Sequence, residues 1–172
     1  MAEAISHFYD LDILLLATPL YFDNVSGMMK VFLDRCISFG AYQVEKDEHG
    51  VSKHEDAYER RDIPKEVPKI IILSNGGFPE QSQFQALDFL IEKMAKNMST
   101  EVIAKIYRGQ GPLLGFTSDE MKPIINNYKS LLRQAGREIV RNLKIDEKTQ
   151  AKLDAPLIPF DLYIQQLNQP NI

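Results

Sequence analysis

Short apolar runs alternate with amphipathic stretches along this chain. The runs are residues 11–18, 69–74 and 100–107, and each predicts a strand. Residues 11–18 carry Leu, Ile and Ala without polar alternation, which favours a strand covered on both faces, and residues 69–74 predict a second buried strand. Apolar positions recur at helical spacing over about 24–38, 80–97 and 117–142. Alternating strands and helices predict an α/β fold with a doubly wound parallel sheet.

The remaining segments predict how the single domain of residues 1–172 is elaborated. Residues 1–9 favour a helix that the chain enters without a capping residue. Residues 40–66 are almost all polar and predict an exposed insertion with a short hairpin or an ordered loop. The tail, residues 143–172, carries a short helical pattern around Tyr163 and Leu167.

Composition and charge narrow the function classes. The 172 residues carry a net charge of -4 and have a pI near 5.4, which gives no basic patch for nucleic acid. No apolar run approaches the roughly 20 residues of a membrane span, and no secretory signal is recognisable. A single cysteine, Cys36, fits a reducing compartment. We therefore expect a cytoplasmic protein without a membrane partner, and three scattered histidines make a metal cluster improbable.

Two strand-end loops are candidate binding segments. Ligands of open α/β sheets lie outside the carboxyl ends of the strands, where loops expose backbone donors. The first segment offers a stiff turn with an aromatic side chain before a helix, and its candidates are Thr18, Pro19, Leu20, Tyr21, Phe22, Asn24 and Ser26. The second offers two glycines that permit close approach, and its candidates are Ser74, Asn75, Gly76, Gly77 and Phe78. Each could equally be a plain connecting loop, but two at neighbouring strand ends would flank one cleft.

Other residues predict structure rather than chemistry. Residues 108–115 contain glycines, but their spacing and Pro112 do not fit a dinucleotide fingerprint, so we expect a flexible loop bordering the cleft. Lys30 and Asp34 are placed for a helix ion pair. Cys36 lies on the apolar helix face formed by Val25, Met28, Met29, Phe32 and Leu33, and is expected to be packed rather than reactive. The histidines (His7, His49 and His54) are expected at the surface, and no nucleophile–base pair supports hydrolysis.

The first candidate segment and the helix predicted after it resemble the NAD(P)H-dependent FMN reductase family of flavodoxin-like proteins. The likeness is carried by Ala17-Thr18-Pro19-Leu20-Tyr21, Asn24-Val25-Ser26-Gly27, Lys30 and Phe32-Leu33-Asp34-Arg35, with Ile71 to Gly77 and Lys152 to Gln166 in support. The resemblance implies non-covalent FMN that passes hydride from a nicotinamide, NADH or NADPH, to a small-molecule acceptor. It places Thr18–Phe22, Asn24 and Ser26 on one side of the isoalloxazine ring, and Ser74–Phe78 on the other. The flavin supplies the chemistry, so no catalytic side chain is implied.

The sequence departs from that family at its start. Family members open with a strand and a Ser/Thr- and Gly-rich loop that holds the FMN phosphate, and this pattern does not occur here. We therefore expect strands 3, 4 and 5 of the 2-1-3-4-5 order in an N-terminally truncated sheet, with FMN binding weak or lost. Strand 13–18 would then have an unpaired edge that pairs with the same strand of another subunit in a homo-oligomer, or that a rearranged segment covers.

The sequence thus leaves two functions open. One is an FMN-dependent reductase or a remnant of one, for which the missing phosphate loop leaves enzymatic activity undecided. The alternative is a cofactor-less flavodoxin-like module that acts through oligomerisation or protein interaction. A phosphate-responsive regulator is disfavoured because no acidic cluster ends a strand.

Overall fold

A computed structural model describes residues 7–36, 43–55, 58 and 65–169 of the chain. The strands in chain order are β1 (Ile13–Pro19), β2 (Val44–Lys46), β3 (Ser52–His54), β4 (Lys69–Asn75) and β5 (Val102–Arg108). The α-helices are α1 (Gly27–Cys36), α2 (Gln85–Asn97), α3 (Met121–Asn142), α4 (Glu147–Asp154) and α5 (Phe160–Leu167). Short 3-10 helices cover His7–Asp10, Gln81–Phe84 and Gly111–Gly115.

The central sheet has three parallel strands in the order β1-β4-β5. Leu15 lies opposite Ile71, and Leu73 lies opposite Ile106. Strand order and direction confirm the predicted parallel α/β sheet, and they are those expected of strands 3, 4 and 5 in the flavodoxin-like order. Parallel neighbours need a crossover connection, and here α1 lies in the connection from β1 to β4 and α2 in the connection from β4 to β5.

The sheet is covered on both faces by helices. Ile70 and Ile72 point to the face covered by α1 and α2, where Leu87 and Ile91 complete the core. The opposite face, with Ile71 and Ile106, packs against α3 and α4. Alternate β4 residues therefore belong to different cores, as strand geometry requires, and β4 is buried on both sides as its apolar run predicts.

The prediction that 11–18 is covered on both faces is wrong for β1. Leu16 and Thr18 are buried, but Leu15 is 56% exposed and Ala17 is exposed. The reason is positional: the cores that contain α3 are built with β4 and β5, and Ile13 is the one described β1 residue that packs against them. A run of apolar residues does not reveal whether its strand lies at the centre or at the edge of a sheet.

Helix α1 begins at Gly27, later than the predicted residue 24. Ser26 precedes it, and its Oγ accepts a hydrogen bond from the Met29 N–H at 3.3 Å. Met29, Phe32 and Leu33 pack against the core, but no residue of the helix is fully buried. Met28, predicted on the apolar face, is 87% exposed.

The polar insertion contains the expected hairpin. Strands β2 and β3 pair antiparallel, and one Asp47 carboxylate oxygen accepts hydrogen bonds from the N–H groups of His49 and Val51. The other oxygen lies 2.5 Å from Lys96 Nζ of α2. The hairpin is therefore tied to the helix that follows β4.

The tail is largely helical. The pattern around Tyr163 and Leu167 is confirmed by α5, whereas α4 is an additional helix that its polar sequence did not suggest. Of the predicted first helix, residues 1–6 lie outside the described residues and His7–Asp10 forms a 3-10 turn. None of the described helices combines the length and apolar character needed to cross a bilayer.

Candidate functional site

The two candidate loops lie side by side at the carboxyl edge of the sheet. Thr18 is opposite Ser74, and Pro19 is opposite Asn75. Just beyond the end of β1, Leu20 N–H donates a hydrogen bond of 2.8 Å to Asn75 O, and this bond joins the two loops. The fold therefore brings together the residues that the sequence placed around one cleft.

The first loop contains a strained turn. Tyr21 and Asn24 exchange backbone hydrogen bonds of 3.0 and 3.1 Å across a two-residue reversal. Phe22 and Asp23 have φ of 48° and 59°, the left-handed region that bulky residues rarely adopt. Phe22 is 104% exposed, so its side chain gains no packing against the described residues from this conformation. Strain of this kind persists where surroundings impose it and clusters at ligand-binding sites.

Three predicted site residues use their polar groups to build that loop. Thr18 Oγ1 accepts a hydrogen bond from Ser26 N–H and donates one to Pro19 O, both at 3.0 Å. Asn24 Oδ1 accepts from Val25 N–H at 2.8 Å. Thr18, Asn24 and Ser26 therefore fix the turn and the start of α1, while the exposed surface comes from Tyr21 and Phe22.

The second loop is held by its neighbours. Gly76 N–H donates to Arg108 O at 3.0 Å, and Gly76 O accepts from Gly111 N–H at 2.8 Å. Gly77 O accepts the Tyr163 hydroxyl at 2.7 Å. The side chain of Phe78 is 65% exposed. This arrangement leaves the Gly77 N–H without an acceptor among the described residues and presents Phe78 outward.

Beneath these loops lies an unsatisfied polar atom. Ser74 is 2% exposed, and its Oγ has no hydrogen-bond partner among the described residues. Ser74 points to the same face as Ile70 and Ile72. Because it is buried there, its hydroxyl is not a donor at the surface of the cleft.

Residues 108–115 are anchored rather than a flexible border, contrary to the prediction. Arg108 donates to Leu153 O at 2.7 Å and to Ala155 O at 2.9 Å, which fastens the end of α4. The Gln110 side chain donates to Ile158 O at 2.8 Å and accepts from Leu157 N–H at 2.7 Å. Both side chains are almost fully buried. Sequence reasoning missed these anchors because their acceptors lie some 45 residues away in the tail.

Among the described residues, the Arg108 guanidinium donates its hydrogen bonds to carbonyl oxygens and not to a carboxylate. Burial lowers its pKa, while Tyr128 and Asp154 act in the opposite direction. Its charge is met by carbonyl oxygens at the carboxyl end of a helix, which carries partial negative charge, and by the Tyr128 ring at 5.2 Å. Arg108 is thus a structural cation, not a ligand-binding one.

The cleft beside the two loops is open and acidic. It has a volume of about 430 Å³ and is lined by Asp23, Phe78, Glu80, Ser82, Gln83, Gln85 and Ala86. No lysine or arginine among the described residues lines it. Tyr163, which supports Gly77, has its pKa raised by burial and donates as a neutral hydroxyl. The described lining offers one aromatic ring, Phe78, and two carboxyl groups, Asp23 and Glu80, without a histidine, lysine or arginine beside them.

Most of the residues for which the sequence predicted a structural role, rather than a chemical one, have such a role in the structure. Lys30 and Asp34 form the expected ion pair at 2.5 Å. Cys36 is partly buried, which raises the pKa of its thiol and favours the protonated form. His7 and His49 are exposed, but His54 is partly buried with an unpaired Nδ1, so its surface assignment is wrong. The His54 side chain is partly buried because β3 packs against α2.

Within the described ranges, no three His, Cys, Asp or Glu side chains are grouped to hold a metal ion. The fold and the loops together define a parallel α/β protein with an open, acidic cleft beside two loops at the carboxyl edge of its sheet. No protein-family model matches the sequence, and no curated protein matches it.

Two solved structures resemble the chain in fold. One is the Trp repressor binding protein from Bacillus subtilis, with 16% identity, a TM-score of 0.49, and coverage of 74% of this chain and 64% of that one. The other is an apo NADH:FMN oxidoreductase, with 16% identity, a TM-score of 0.44, and coverage of 98% and 60%. This chain thus spans less than two thirds of either protein. With both TM-scores below 0.5, neither likeness bears on function.

Proposed function

We propose that this protein binds a flavin ring in the cleft between its two strand-end loops and serves as an FMN-dependent NAD(P)H oxidoreductase. The observation that carries the proposal is the pair of loops, joined by the Leu20–Asn75 hydrogen bond, that presents Tyr21, Phe22 and Phe78 to solvent. Exposed aromatic rings on a fixed frame suit a planar heteroaromatic ligand. The sequence motif around Thr18–Arg35 supports the same ligand.

The residues present fit the ring of a flavin. Tyr21 and Phe22 offer apolar faces, and the Gly77 N–H offers a backbone donor for a polar ring edge. A bound flavin supplies the redox chemistry, taking hydride from NADH or NADPH and passing it to a small-molecule acceptor. The chain itself holds and orients the ring.

The same cleft does not fit the FMN phosphate. Asp23 and Glu80 would repel a dianion, and no basic side chain lines the cleft to offset them. We therefore expect the phosphate to remain in solvent, so that riboflavin binds as well as FMN. Affinity then depends on the aromatic contacts, which makes it weaker than that of a site with a phosphate anchor.

A titration of the purified chain with FMN and with riboflavin, followed by flavin fluorescence, tests the site. Phe22→Ala and Phe78→Ala should each weaken binding by about two- to tenfold, the value of one aromatic pair. Phe89→Ala is the matched control, since Phe89 is 67% exposed but lies on α2. No flavin binding at high micromolar concentration refutes the proposal, as would equal losses for all three variants.

The oxidation of NADH and NADPH by the flavin-loaded chain, with a quinone as acceptor, tests the reaction. Turnover that is weakened by Phe22→Ala but not by Phe89→Ala supports the reductase. Flavin binding without turnover would leave a flavin-binding protein and reject the enzymatic part of the proposal.

The second candidate is a cofactor-less module that acts through association. One observation favours it: β1 has an edge that no described strand occupies. This candidate survives if neither flavin binds, because it depends on a different part of the sheet.

A further inference from the structure

The backbone of β1 has one side free for hydrogen bonding. Lys69 N–H donates to Asp12 O at 3.0 Å, and Leu20 N–H donates to Asn75 O at 2.8 Å, so even-numbered positions face β4. In a strand the N–H and C=O groups of successive residues point to opposite sides. Those of Ile13, Leu15 and Ala17 therefore point away from β4, where no described strand pairs.

The stretch of β1 whose backbone groups are free for hydrogen bonding ends at the same distance on either side of Leu15. Leu11 N–H is occupied by Phe8 O at 3.3 Å, and Pro19 has no N–H to offer. Leu11 and Pro19 are equally far from Leu15. The available groups thus lie on Ile13, Leu15 and Ala17, centred on Leu15.

The opposite edge of the sheet is closed. On β5, Lys105 O accepts a hydrogen bond from the Gln150 side chain, and Tyr107 O accepts one from the Gln81 side chain, both at 3.2 Å. Lys105 also carries a charge, paired with Asp88 and Glu92 of α2. Capped carbonyls and an edge lysine are devices that prevent strand pairing. Within β1 there is no charged residue and no irregularity in its pairing with β4.

Apolar side chains accompany the free edge. Leu15 is 56% exposed on the face shared with α3. On that helix Glu138 bonds to Thr149 of α4, and Ile139 packs on the sheet. Val140 follows about 100° further round the helix, on the flank away from α4, and is 78% exposed. The β1 side of this face thus presents an apolar surface beside the free backbone groups.

We infer that the occupant of this edge is β1 of a second copy, paired antiparallel about a twofold axis at Leu15. In this register Leu15 lies opposite Leu15 of the second copy, and each Ile13 lies opposite Ala17. Three such pairs exchange about six backbone hydrogen bonds. The arrangement closes on itself because the free stretch is centred on Leu15, and it joins two three-stranded sheets into one of six strands. This inference does not depend on flavin binding.

The proposed interface between the two β1 strands is small, so we expect the dimer to be weak. A strand edge with one apolar flank buries less than the roughly 1,200–2,000 Å² of a standard interface, so the dimer is expected to be concentration-dependent. Each copy carries a net charge of -4. Added salt should therefore strengthen the dimer by screening this repulsion.

Sedimentation equilibrium of the full chain over a concentration series tests the inference. The wild-type chain should approach twice its mass of 19.7 kDa. Leu15→Lys and Leu15→Glu should each weaken the dimer at least roughly tenfold, because like charges then lie directly opposite. Their equimolar mixture should dimerise again, which a variant that had merely unfolded could not do. Phe89→Lys, an equally drastic change at an exposed position of α2, should leave the dimer intact.

Four results would overturn the inference. The wild-type chain could remain monomeric at all concentrations, or assemble beyond a dimer, which a closed twofold pairing forbids. Leu15→Lys could dimerise as well as the wild type. The mixture of the two charged variants could fail to associate although circular dichroism shows both to be folded.

Discussion

Removing the guanidinium of Arg108 should destabilise the fold strongly. In Arg108→Met, the buried carbonyl oxygens of Leu153 and Gly109 lose donors at 2.7 and 2.9 Å, and Ala155 O loses one at 2.9 Å. A buried acceptor left unsatisfied costs about 1–3 kcal/mol, and the stacking on Tyr128 adds about 1 kcal/mol. Relief of the buried charge offsets part of this loss. The net expectation is a decrease of about 3 kcal/mol in the free energy of unfolding.

Urea unfolding followed by circular dichroism measures this change, and thermal unfolding should show a fall of about 10 °C in Tm for a chain of this size. Arg108→Lys should lose less, since an ammonium can reach one carbonyl but cannot span several. Arg133→Met, at an exposed position of α3, is the matched control. A loss in Arg108→Met no larger than that in the control would refute the structural role of this side chain.

Two further perturbations probe the loops and the hairpin. Gly109→Ala would place a Cβ 2.6 Å from Pro79 O, a backbone atom that cannot move aside, and should cost about 1–3 kcal/mol in urea unfolding. Asp47 has its pKa lowered from 3.8 to about 2, chiefly by the hydrogen bond from Lys96. Its contribution to stability is therefore full above pH 3.8 and lost as the pH falls through about 2. Asp47→Asn should remove this part of the acid sensitivity, measured as the difference in unfolding free energy between neutral and strongly acidic pH.

Controls accompany both changes. Gly115→Ala introduces a Cβ into open space and should leave stability nearly unchanged. If it matches Gly109→Ala, crowding by Pro79 is not the cause. An NMR titration of the Asp47 carboxyl that gives an ordinary pKa would contradict the tie between the hairpin and α2.

Much of the fold was readable from local pattern. The predicted strands 69–74 and 100–107 differ from β4 and β5 by at most two residues at either end. The hairpin in the polar insertion and the helix around Tyr163 also follow from pattern. Side-chain periodicity and turn residues act within a few positions, so they are visible in the sequence. Helix α4 was missed because its stability comes from Arg108 and Glu138, which bind it from other elements.

At the candidate site, too, the sequence predicted some features and missed others that depend on distant residues. Sequence indicated both loops, and the register of β1 with β4 places them together. It did not indicate that Thr18 serves the turn itself, because the hydrogen bond that Thr18 Oγ1 accepts from Ser26 N–H depends on the left-handed conformation of Phe22 and Asp23. Nor did it show that Arg108 is buried, since a cation near glycines is typical of an exposed loop.

By itself the sequence determined the kind of elements, their order and the two strand-end loops, because apolar periodicity and backbone preference are properties of neighbouring residues. Tertiary structure alone decided that β1 keeps one face exposed, while β5 has its edge carbonyls capped by glutamine side chains. The sequence shows Lys105 in β5 and no charged residue in β1. It does not show which strand the distant helices and glutamine side chains reach, because only packing determines that.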